Sequence, residues 1–172
     1  MNLDKFKDLP RETLLDLLDM AYKNFRTIDG LWFLEVEDAH GVDAATEVDT
    51  KVWERMAPFE VRRLRRVLHL DKQGIPGLVE ALENSMCWMS FAAESYVEQV
   101  DEKRAVFRVQ DCLPQKARME QKIGLFPCRD MEQRYLGSFA RAVDPSIKVS
   151  CGFSPPDKPR GRLWCEWWFE VE

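Results

Sequence analysis

The final segment of the chain constrains the fold more than any other. Leu163, Cys165, Trp167, Phe169 and Val171 fall on one side, and Trp164, Glu166, Trp168 and Glu170 on the other. That is the period of two expected of a strand with one face on a core. Such a strand needs hydrogen-bonded neighbours and a layer to cover its apolar face. Two segments suit the first need. Ile147, Val149, Cys151 and Phe153 alternate with Lys148, Ser150 and Gly152, and residues 105–111 (AVFRVQD) follow the turn Asp101-Glu102-Lys103 as the return arm of a hairpin. The outgoing arm lies within residues 87–100, which are rich in Trp, Phe, Tyr and Val. They read as a long, mostly buried strand, with a helical start as the alternative. Residues 154–161 (SPPDKPRG) hold three prolines and form a loop rather than a central strand.

The covering layer is legible upstream. Pro10 opens a helix in which Leu14, Leu17, Leu18, Ala21, Tyr22 and Phe25 keep a spacing of three to four. Residues 27–40 continue it, with Gly30 as a bend or break and Gly41 as its C-terminal cap. A second helix runs from near Asp43 toward Leu68. Its acidic start (Asp43, Glu47, Asp49) and basic end (Arg62, Arg63, Arg65, Arg66) complement the helix dipole. Val48, Val52, Met56, Phe59, Leu64 and Val67 are its expected apolar contacts, and Pro58 a kink or restart. Shorter helices fit residues 76–84, 113–123 and 129–142, the last stopped by Asp144-Pro145. The expected fold class is α+β: an antiparallel sheet of about four strands covered by helices, with an N-terminal helical layer. One domain spans 1–172, with 1–84 as the helical layer and 85–172 as the cysteine-bearing part.

With 25 Lys and Arg against 30 Asp and Glu, the net charge is −5, the wrong sign for a general nucleic-acid binder. No run approaches the roughly 18 apolar residues of a membrane span. The opening MNLDKFKDLP lacks the apolar stretch of a signal peptide. These features predict a cytoplasmic protein with reduced thiols.

Five cysteines are present: Cys87, Cys112, Cys128, Cys151 and Cys165. Cys151 and Cys165 sit on the apolar faces of their strands, and an antiparallel pairing would bring both thiols to one side of the sheet. Cys128 precedes a helix, whose N-terminus favours a thiolate, and Cys112 ends a strand. Each lies near an element end, where a metal gathers ligands from several elements, and thiolates suit tetrahedral zinc at about 2.3 Å. The spacing is not that of a zinc finger, and no Cys-x-x-Cys occurs. The alternative is that these are buried free thiols acting as small hydrophobes. Cys112 shares the parity of Val106, Arg108 and Gln110, the more polar face, so it joins the others only if its strand has ended or twisted. Cys87 reads as core.

The stretches FRVQDC, FPC, AVDPSIKVSC and WCEWWFEV resemble the 4-vinyl reductase domain, a small-molecule-sensing module. The resemblance implies zinc on Cys128, Cys151 and Cys165, with an acidic fourth ligand just before the second cysteine. Lys148, Val149 and Ser150 stand there instead, which leaves Cys112 as the replacement. Over nearly its full length the chain is also similar to an uncharacterised family of prokaryotic cytosolic proteins grouped with L-2-amino-thiazoline-4-carboxylic acid hydrolases. DGLWFLEVEDAHG, VWERMAP and the pattern DC…FPC…DP.IK…C…PPD…C.W.F carry that likeness.

Other residues have two readings each. Glu35 among Leu31, Trp32, Leu34 and Val36, with Asp29 nearby, is a candidate general acid or base if buried, and a surface carboxylate if not. Glu37 and His40 form one Glu-x-x-His pair, where a di-metal bundle needs two; His40 is more simply a helix C-terminal residue. The Arg62–Arg66 cluster reads as a solvated face. Trp164 and Trp168, on the outward face of the last strand, suit a partner surface.

Three functions follow. The first is a module that binds a small molecule and is stabilised by zinc on Cys112, Cys128, Cys151 and Cys165. The second is a hydrolase of a small cyclic C–N substrate, using Glu35 or Asp29 beside a pocket. The third is an interaction module forming a homodimer through its aromatic strand face. None involves nucleic acid or a membrane.

Overall fold

The computed structural model describes residues 3–171. After a short 3-10 turn at Asp4–Phe6, helix α1 spans Arg11–His40 and α2 spans Val42–Leu68. Only Gly41 separates them. Its φ of 87° lies in the left-handed region, and its N–H donates to the Glu37 carbonyl at 2.7 Å. This is the conformation that glycine tolerates best. Gly30 does not break α1, and α2 runs on through Pro58.

Helices α3 (Gly74–Glu83) and α4 (Met86–Phe91) follow, then strands β1 (Ala92–Gln99) and β2 (Arg104–Cys112). Helices α5 (Leu113–Glu120) and α6 (Arg129–Val143) lead to β3 (Lys148–Phe153) and β4 (Cys165–Glu170). The sheet has the order β1-β2-β4-β3, and every neighbouring pair is antiparallel. The chain is therefore α+β: a four-stranded antiparallel sheet under helices, with an N-terminal helical layer. Among the described residues no helix is long and apolar enough to cross a membrane.

Alternation on β4 sets the core. Cys165, Trp167 and Phe169 are opposite Val109, Phe107 and Ala105 of β2, while Cys151 and Val149 of β3 are opposite Trp167 and Phe169. Trp167, Phe169 and, on α6, Phe139 are wholly buried, each worth on the order of 2–3 kcal/mol. Helix α6 lies between the sheet and α2.

The sequence reading errs in two places. Residues 87–100 are not one buried strand: the apolar run forms α4, and β1 is a largely exposed edge strand whose only buried residue is Ala92. On α2, Val48, Val52, Phe59 and Val67 face outward. The buried stripe is Ala45, Asp49, Trp53, Ala57, Glu60, Val61 and Leu64. Two carboxylates on the inner face disguised it, since acidic residues are rarely buried.

Candidate functional site

A cavity of about 610 Å³ opens between α1, α2, α4, α5, α6 and the end of the sheet. Phe33, Trp53, Trp88, Phe91, Phe126, Tyr135 and Trp164 supply its aromatic surface. Trp53 stands edge-on to Phe91 and Tyr135 at centroid distances of 5.2 and 5.6 Å, Trp88 contacts Phe107 at 4.6 Å, and Phe33 contacts Phe126 at 4.9 Å. The first-turn residues of α5 and the loop to α6 close one end.

Asp29 from α1, Asp49 from α2 and Glu132 from α6, each at least partly buried, line this apolar space, and a fourth carboxylate, the exposed Glu120 of α5, borders it. Burial pushes Asp29 up to about 6, opposed by a hydrogen bond from the Trp53 side chain. Asp49, 5% exposed, is pushed up to about 7, first by burial and then by the charge of Asp29. Glu132 is pushed up to about 8 by burial and then by Asp49. Each is a carboxyl whose ionised form the interior disfavours. Behind them, Glu60 is a buried carboxylate of a different kind. It accepts from Tyr135 Oη at 2.8 Å, Cys87 N at 2.9 Å and Ser85 Oγ at 3.0 Å, and so ties α2 to α4 and α6.

The cavity's outer wall is fixed by two α5 side chains. Gln115, 1% exposed, donates to the Phe126 carbonyl at 2.8 Å and accepts from the Phe126 amide at 3.0 Å, which sets the loop that delivers Cys128. Arg118 grips Glu37 of α1 through two hydrogen bonds of 2.5 and 2.9 Å and also reaches the carbonyls of Ile123 and Gly124. Glu37 is held below its usual range by that bond.

Cys112, Cys128 and Cys165 all line the cavity. Cys112 overcomes its strand parity because the β1–β2 register shifts around Glu94, as at a β-bulge, and because the residue caps α5. Burial pushes Cys112 up to about 12. It also raises Cys128 and Cys165, followed in each case by the charge of Glu132, and the thiols' charges act on one another. Cys151 stands apart. It does not line the cavity, and its charged neighbours are Arg129, Asp157 and Arg160. Among the described residues no group of three or more His, Cys, Asp and Glu side chains is set to hold a metal ion.

Of the two acid–base candidates, Asp29 lines the cavity, but Glu35 is exposed and Trp32 is also outside it. The helical period explains the split: with Asp29 and Phe33 turned inward one turn apart, Glu35 falls on the opposite face. Glu37 pairs with Arg118 rather than with His40, which is exposed in the last turn of α1. Arg62, Arg63 and Arg66 are exposed, while Arg65 donates to the Val143 carbonyl at 2.7 Å. Trp164 precedes β4 and turns to the cavity, whereas Trp168 is half-buried and donates to Glu166. The sequence reading missed Asp49, Trp53, Gln115, Glu132 and Tyr135. For Asp49 and Trp53 a signal existed, the unbroken spacing 45-49-53-57 along α2.

No curated protein and no solved structure matches the chain. Residues 7–171, nearly the whole chain, match the family described as a family of unknown function (DUF6125), and the chain belongs to that family.

Proposed function

We propose that this protein binds a small organic molecule in the cavity between its helical hairpin and its sheet. One observation carries the reading. A space of about 610 Å³ is walled by Phe33, Trp53, Trp88, Phe91 and Tyr135 and has a few convergent polar groups. Ligand pockets are commonly about 300–1,000 Å³ and built this way. Native mass spectrometry of the purified protein, with a thermal-shift screen of small molecules, tests it. The expected result is a ligand that raises the melting temperature of the wild type but not of Ala92→Phe, which fills the cavity from β1. Equal responses in the two proteins, or none in either, would remove the reading.

A second reading keeps zinc. Its support is that Cys112, Cys128 and Cys165 share one cavity wall closely enough for their charges to interact. A soft dication would draw such thiolates together and reverse the effect of burial on them. Cys151 is not part of this set. Elemental analysis should then find about one zinc per chain, lost in Cys112→Ser, Cys128→Ser and Cys165→Ser but kept in Cys151→Ser. Metal-free protein that retains its fold would sink it.

A further inference from the structure

The charge around the cavity does not balance. Asp29, Asp49 and Glu132 reach it from three different helices. Three cationic side chains also line it, and each is engaged elsewhere. Arg118 is held by Glu37, Arg26 donates to the Ser90 carbonyl at 3.1 Å, and Lys116 pairs with Asp111 at 2.6 Å. Asp29 and Asp49 share only the neutral indole of Trp53. Glu132 is half-buried and lines the cavity, and among the described residues its side chain has no hydrogen bond or ion pair. A carboxyl kept merely for packing would be hydrogen-bonded, as Glu60 is. A bare oxygen-seeking dication needs carboxylates converged at coordination distance, and Asp29, Asp49 and Glu132 form no such group.

We infer that the cavity's ligand carries a protonated amine, seated among Asp29, Asp49 and Glu132 with an apolar body against Trp53, Trp88 and Tyr135. The inference rests on the cavity being the binding site. An organic ammonium suits the place for two reasons. Its charge is answered by carboxylates through charge-assisted hydrogen bonds, and the surrounding ring faces attract cations. It also tolerates carboxylates spread over three helices, because its donors are separated and its hydrocarbon part fills the rest.

Calorimetric titration of the full chain with matched probes tests the inference. Benzylamine, phenethylamine and tryptamine are compared with benzyl alcohol, 2-phenylethanol and indole-3-ethanol, and with indole-3-propionate. At least one amine should bind about tenfold or more tighter than its alcohol, the ratio that one charge-assisted hydrogen bond supplies. The carboxylate should bind weakest. Glu132→Gln and Asp49→Asn, each checked for native circular dichroism, should each erase most of the preference while leaving alcohol binding within about twofold. Alcohols that bind as tightly as amines would overturn the amine inference and leave the cavity reading intact. Probes that none of the proteins bind would overturn the inference, and the Ala92→Phe comparison would then judge the cavity separately. Zinc or magnesium that displaces a bound amine from the wild type but not from Glu132→Gln would assign the carboxylates to a metal instead.

Discussion

Tyr135 on α6 donates its phenolic hydrogen to Glu60 Oε2 on α2 at 2.8 Å, inside a core where both side chains are buried. Ser85 and the Cys87 amide occupy the other carboxylate oxygen, so Glu60 is matched only by donors. Tyr135→Phe removes one donor and should cost about 1–2 kcal/mol in urea unfolding. Glu60→Gln turns an acceptor into a donor that faces another donor and should cost more, roughly 2–3 kcal/mol. A Gln variant as stable as the wild type would show that Glu60 is not the tie it resembles.

Glu132 gives the unliganded protein an unusual pH dependence. Its folded value is raised from 4.5 to about 8, so the folded chain holds a proton that the unfolded chain releases. The stability from this group is fully present below pH 4.5 and is lost as pH rises through about 8. Asp29 and Asp49, raised to about 6 and 7, act in the same direction. Glu37, Asp101 and Asp144, held low by their hydrogen bonds, act below this window. Glu132→Gln should flatten the decline between pH 5 and 8 and gain on the order of a few kcal/mol at the upper end. Denaturant midpoints across that range check it; parallel curves for the two proteins would contradict it.

Arg118→Ala should loosen the cavity's outer wall without melting the core. The guanidinium joins Glu37 of α1 to the carbonyls of Ile123 and Gly124. Its removal leaves Glu37 partly solvated and the loop carbonyls unmatched. A cost of about 2–3 kcal/mol is expected, with faster amide hydrogen exchange over residues 121–127 and little change in β4. Uniformly faster exchange would place Arg118 in the general core instead.

Two helical glycines should respond in opposite directions. A Cβ on Gly77 would lie 2.3 Å from the Lys72 carbonyl oxygen, whereas one on Gly30 meets nothing within 4 Å. Gly77→Ala must displace backbone and should cost roughly 2–3 kcal/mol or more. Gly30→Ala, within α1, should add about 0.5–1 kcal/mol. Thermal unfolding of the pair separates packing from propensity; a gain at residue 77 would mean that α3 is not closely seated.

The sheet was legible because Trp167 and Phe169 alternate with Glu166, Trp168 and Glu170 over a full strand; the structure pairs β3 with β4 and sets Cys151 opposite Trp167. The inner face of α2 was not, because Asp49 and Glu60 occupy positions where apolar residues are expected and Val52 and Phe59 lie outside. Residues 87–100 misled for another reason: their apolar content arises from a short helix followed by an edge strand, which composition cannot tell from one buried strand. For the cysteines, period and capping suggested convergence. The shift at Glu94 that turns Cys112 inward, and the loop that leaves Cys151 beside Arg129, depend on tertiary contacts with no counterpart in local pattern.

The cavity draws its walls from α1 and α2, made early in the chain, and from Trp164 and Cys165 near its end. A molecule seated there touches the first and last structured portions of the polypeptide at once. Occupancy is therefore coupled to folding as a whole: a single melting curve, without any label or activity assay, reports whether the space is filled, and screening can begin before a physiological role is assigned.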